Sequence, residues 1–212
     1  MNWRVNRSSS WLLALCVLVA INMSVERAVA ADPRYPDWPC AQAKVPEVSL
    51  AAVWAGPPLD EAEQNWKDDT KVSGLVQRLA ARRTPLDDAE KMITAFLSGS
   101  AADKTAMGKL LFAGLFDTMN EQRSSVMNGL ERVTRKQREA ADKIRTDTLA
   151  LQALQDASPP DQSKVDALGN QLVWETRIFE DRRRVVKFVC EVPTAIDQRL
   201  FALGRVIQQE MQ

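Results

Sequence analysis

Residues 126–154, VMNGLERVTRKQREAADKIRTDTLALQAL, decide the fold. Val126, Leu130, Val133, Gln137, Ala140, Ile144, Asp147, Leu151 and Leu154 fall at alternating steps of four and three. That is the a and d spacing of a coiled-coil seam. Residues 165–189, VDALGNQLVWETRIFEDRRRVVKFV, repeat it at Val165, Leu168, Leu172, Glu175, Phe179, Arg182, Val186 and Val189. Two seams separated by Ser158-Pro159-Pro160-Asp161 fold back on each other, so the spacing predicts an antiparallel helical hairpin with arms at about 103–156 and 161–191. Within the turn, Ser158 is the expected cap of the second arm, Pro159 its first helical residue and Asp161 its capping-box carboxylate.

Four seam positions are polar: Gln137, Asp147, Glu175 and Arg182. Polar residues at a or d positions set register at a cost in stability. Their alternative role is a polar surface offered to a partner. On the second arm a further apolar stripe, Trp174, Ile178, Val185, Phe188 and Val192, lies off the seam. A face of that kind calls for a cover: the N-terminal helices, the segment before them, or a second copy of the chain.

Working outward, Met107, Leu111, Leu115 and Met119, flanked by Leu110, Phe112 and Phe116, are apolar over too wide an arc for one partner helix. This part of the first arm is the expected buried base where other helices gather. Gly108, Gly114 and Gly129 weaken the helix locally, and a bend near Asn120 or Gly129 is compatible with them. Shorter helical patterns precede it. One covers 59–68 with Trp66 inward. A second carries Val72, Leu75, Val76 and Leu79. A third carries Leu86, Met92, Ile93, Phe96 and Leu97 and stops near Gly99. Thr84-Pro85-Leu86-Asp87 and Ser100-Ala101-Ala102-Asp103 have the form of helix starts. Beyond Val192-Pro193-Thr194, the residues Ile196, Leu200, Leu203 and Ile207 predict a last helix at about 194–211, packed beside the base. The expected fold class is all-α: one helical domain over 59–212 built around the hairpin.

Residues 31–58 read differently. Asp32-Pro33-Arg34-Tyr35-Pro36-Asp37-Trp38-Pro39-Cys40 holds too many prolines for regular helix and predicts an extended Pro/Trp-rich strap lying on the bundle. Residues 1–30 have the form of a secretory signal peptide: Arg4 and Arg7, a short apolar run over 11–21, then Ala28-Val29-Ala30. The expected address is the periplasm, with cleavage near Ala30 and no membrane span in the mature chain; an uncleaved anchor is the alternative. Removing the leader leaves Cys40 and Cys190, which in an oxidising compartment form one disulfide. The alternative is a redox pair, against which stands the lack of a C-x-x-C motif.

Composition narrows the chemistry. The chain has no histidine, which removes Ser-His-Asp and Cys-His catalysis and histidine-based metal sites. It carries 28 basic and 28 acidic residues, so it is no general binder of nucleic acid. Asp60, Glu61 and Glu63, and then Asp87, Asp88 and Glu90, cluster at helix starts, where acidic side chains suit the helix dipole. No metal site, cofactor or catalytic residue is expected. One basic grouping stands out: Arg132, Arg135 and Arg138 on the first arm, Arg182, Arg183 and Arg184 on the second. In an antiparallel hairpin they lie at one level. They form either a salt-bridged solvated face or a surface for an anionic partner. The functional expectation is a non-enzymatic adaptor or accessory subunit presenting its hairpin to a protein partner. A periplasmic holdase for unfolded clients is the alternative, and a homo-oligomer is compatible with either.

Overall fold

The computed structural model describes residues 32–59, 62 and 65–212. The leader reading of 1–30 and the cluster Asp60, Glu61 and Glu63 lie outside the described residues. Asp32–Gln212 forms one compact unit. Its helices are α1 (Leu50–Val53), α2 (Thr70–Ala80), α3 (Leu86–Phe96), α4 (Ala101–Gln155), α5 (Gln162–Val189) and α6 (Val192–Glu210), and no strand occurs among the described residues. The chain is an all-α bundle organised around a long hairpin, α4 and α5, with an extended segment running before α1.

The hairpin is antiparallel, as its cross-arm bonds demonstrate. Gln137 meets Phe179, Lys143 meets Glu175, and Asp147 meets Gln171, so partners recede along α5 as α4 advances. α4 runs 55 residues without interruption through Gly108, Gly114 and Gly129. Gly114 is there for proximity: a Cβ would lie 2.7 Å from Val76 Cγ2 and 2.8 Å from Trp66 Cε3. The bundle closes on α4 at that point. Trp66 is buried there, and its indole donates to Asp117 at 2.9 Å.

The core sits at the base. Leu111, Phe112, Leu115 and Met119 of α4 are fully buried against Val72, Val76 and Leu79 of α2, Ile93 of α3, and Leu200, Leu203 and Ile207 of α6. Trp54, just past α1, stacks on Phe112 with ring centroids 4.1 Å apart. Each fully buried large side chain stabilises by about 1.5–3 kcal/mol. α5 buries none of its residues fully. The base therefore holds the fold, and the hairpin is cantilevered from it.

Helix starts differ from the expected ones in three places. Ser158 does not cap the second arm. Pro160 disfavours helical backbone at Pro159, the turn extends to Asp161, and the Asp161 carboxylate accepts from the Lys164 amide as the cap of α5. Thr84 does not cap α3. Its hydroxyl donates to the Arg78 carbonyl at 2.8 Å, closing the preceding helix, while Pro85 stays extended before Leu86. Leu86 is exposed rather than inward, and Ala89 takes the buried position. Ser100 caps α4 as its spacing predicts, accepting from the Asp103 amide. α6 begins two residues before the expected position, because Pro193 is accommodated in its first turn.

Candidate functional site

The strap lies along α4, and its ties run down that helix in reverse order. Asp37 pairs with Arg138 and, at 2.7 Å, with Arg135. Lys44 pairs with Glu131 at 2.5 Å. The Pro46 carbonyl accepts from Arg123 at 3.1 Å. Cys40 is disulfide-bonded to Cys190 at the end of α5, 150 positions away, with Cα atoms 5.5 Å apart. Gln42 donates to the Cys190 carbonyl beside it. One segment thus links both arms of the hairpin where they leave the base.

This arrangement divides the basic grouping. Arg135 and Arg138 hold the strap. Arg184 pairs with Asp181 at 3.0 Å on its own helix. Arg183 is exposed with no ion pair among the described residues. Arg132 and Arg182 come together across the hairpin with Lys136, on the other side of α4 from the strap. These three have no ion-pair partner among the described residues.

The polar seam residues also separate. Gln137 is buried and donates its amide to the Phe179 carbonyl at 3.0 Å. Lys143 bridges Asp147 at 2.6 Å and Glu175 at 2.7 Å, and Gln171 donates to Glu175 at 2.8 Å. The two carboxylates hold the Lys143 ammonium above its usual range. Two of these bonds cross between the arms, Gln137 to Phe179 and Lys143 to Glu175, and they pin one register, because a one-turn slip would break both at once. Arg182 takes no part in them and stands at the edge of a groove.

That groove runs between α4 and α5. Its central section is a cavity of 680 Å³ lined by Val126, Leu130, Val133, Val185, Val186 and Val189, with Arg132, Lys136, Asp181 and Arg182 also at its walls. A second section continues toward the tip through Ile144, Ile178 and Phe179 and shares Arg182. A third continues toward the base through Glu121, Gln122, Val192 and Ile196 and shares Val126. Beside it stands the apolar stripe of α5. Trp174 is 62% exposed, Ile178 47%, Val185 59% and Phe188 68%. The expected cover is therefore not supplied by any described part of the chain. Val192 alone is half-buried, because α6 starts there. The stripe was visible as spacing; the groove was not, since it depends on how far the arms stand apart at Gly129 and Val133.

Among the described residues no three potential metal ligands converge, and no helix is long and apolar enough to cross a membrane. No protein-family model, curated protein or solved structure matches the chain.

Proposed function

We propose that this chain is a non-enzymatic periplasmic adaptor or accessory subunit whose hairpin docks a protein partner. The observation that carries the reading is the uncovered stripe Trp174, Ile178, Val185 and Phe188, set beside an apolar groove on a helix held in one register. Contiguous exposed apolar surface of this kind marks an interaction site on a protein that must stay in solution. Large aromatic and aliphatic side chains are the anchors on which binding energy concentrates. A side chain as large as Trp174 left in water is costly unless a partner desolvates it. The Cys40–Cys190 disulfide supports an oxidising compartment. The absence of histidine, and the locking of both mature cysteines in that bond, support a role without nucleophilic or histidine-based catalysis.

The test is capture of the tagged protein from its own compartment, in three forms: native, Ile178→Glu with Val185→Glu, and Arg183→Glu. The expected result is one stoichiometric partner that is retained by Arg183→Glu and lost in the double variant. Recovery of the same material by all three forms would overturn the reading. The same stripe also suits the holdase alternative. A chaperone would suppress aggregation of a denatured model protein through this face and would capture a broad mixture rather than one partner.

A further inference from the structure

The groove and the stripe together have a length, a cross-section and a sign of charge, and these narrow the occupant. From Glu121 to Ile144 the three groove sections are continuous, sharing Val126 and then Arg182. At 1.5 Å per helical residue that is roughly 35 Å. The floor is the outer edge of the coiled-coil seam. One wall carries Ile178 and Val185, the part of the apolar stripe of α5 that lines the groove, with Trp174 and Phe188 beside it. The other wall is α4, where Arg132 and Lys136 stand exposed; Arg182 faces them from α5. The one acid in the central section, Asp181, is already paired with Arg184. Arg177 adds a further cation over the Trp174 ring, 5.9 Å from its centroid.

Resting on the reading of the hairpin as a docking element, we propose that this groove takes an amphipathic helix of a partner protein, lying along α4 and α5 as a third strand, with large apolar residues every three or four positions and acidic residues on its flanks. A helix about 10 Å across laid in the groove would cover the stripe as well as the floor. A single acyl chain would fill the floor and leave Trp174 and Phe188, which do not line the groove, in water. A second copy of the chain would bring Arg132, Lys136 and Arg182 against the same cations, and like charges across an interface disfavour that pairing. An acidic flank answers all three. The helix-in-groove mode reads its ligand through anchors at i, i+3 or i+4, and i+7, which is the spacing the α5 stripe itself presents.

The test uses two dye-labelled peptides of about 24 residues, long enough to fill the groove at 1.5 Å per residue. Both carry leucine at a and d positions; one carries glutamate and the other lysine at the flanking positions. Binding to the disulfide-intact protein is followed by fluorescence anisotropy. The acidic peptide is expected to bind about tenfold tighter than its basic twin, with the preference collapsing near 1 M salt, where the Debye length is about 3 Å. In a variant combining Arg132→Glu, Lys136→Glu and Arg182→Glu, all at exposed or groove-edge positions, the preference is expected to invert. Ile178→Glu with Val185→Glu should abolish both interactions. Equal binding of the two peptides, or an unchanged preference in the charge-reversed variant, would overturn the acidic-helix assignment and leave the docking reading standing. Saturation by oleate below its micelle concentration with neither peptide bound would assign the groove to an anionic amphiphile. A concentration-dependent dimer lost in the double variant, with neither peptide bound, would assign it to a second copy. Either overturns the proposal.

Discussion

Gly114 and Gly74 both lie inside helices, and the same substitution has opposite consequences at the two. Alanine is favoured over glycine in a helix by about 1 kcal/mol. At Gly74 a Cβ would meet nothing within 4 Å, so Gly74→Ala is expected to raise stability by ~0.5–1 kcal/mol. At Gly114 it would press on Val76 and Trp66 inside 3 Å, and both are buried. Overpacking of a closed core typically costs about 1–3 kcal/mol, so Gly114→Ala is expected to be net destabilising. Urea unfolding of the two variants reads both signs. Asp161 offers a second check at this scale. Its carboxyl is drawn down from 3.8 to about 2, first by the Lys164 and Ser163 side chains and then by the Lys164 amide. A depressed carboxylate lends stability that is fully present above its unfolded value. That stability is lost as pH falls from about 3.8 through about 2. An NMR titration of the Asp161 carboxyl should give a midpoint below that of the same group in an unfolded peptide, and Asp161→Asn should remove the corresponding acid-dependent fraying of the first turn of α5. Residue-scale features of this kind were only half legible in the sequence. The carboxylate at position 161 was visible as a helix-start signal. Its promotion from a supporting position to the cap was not, because that depends on Pro160 holding Pro159 out of helical backbone.

At the scale of elements, the hairpin was written in its spacing. Lys136 and Arg145 are off-seam and exposed, whereas Leu130 and Gln137 are buried where the heptad puts them. The base helices were legible for the same reason. What spacing could not supply is the course of the strap. Its contacts join residues about a hundred positions apart, such as Asp37 with Arg138, and no local periodicity encodes them. A disulfide closing so long a loop is worth about 4–5 kcal/mol in the chain-entropy model. Cys40→Ser with Cys190→Ser is therefore expected to lower stability by several kcal/mol, by ~2–5 after native-state effects. Arg123 is the strap's buried anchor. It donates to the Pro46 carbonyl, and its Nε lies 2.8 Å from Asp197 as a charge contact without hydrogen-bond alignment. Burial raises the Asp197 carboxyl despite that neighbour. Arg123→Ala would leave Asp197 uncompensated and Pro46 unsatisfied, at an expected cost of about 2–4 kcal/mol. Asp197→Asn keeps the bond to Pro46 but leaves the buried Arg123 guanidinium without its counter-ion, so a loss of comparable size is expected. Thermal unfolding of the two variants side by side checks both.

At the scale of the whole molecule, stability and exposure are segregated. The base carries the buried core, the cross-arm bonds carry the register, and the outer face of α5 is left apolar and uncovered. Trp174, Ile178, Val185 and Phe188 share one solvent-facing stripe, which the proposed function makes the interface. The account therefore stands on that face being an interface. The measurement that tests it most directly is a photo-crosslinker scan along α5 in the living compartment. The probe would be placed in turn at Trp174, Ile178 and Val185 on the stripe and at Thr176, Arg183 and Lys187 away from it. The account predicts one recurrent adduct from the stripe positions only, mapping to an acidic amphipathic helix of a second protein. Adducts of equal yield from both sets of positions, or none from either, would contradict it.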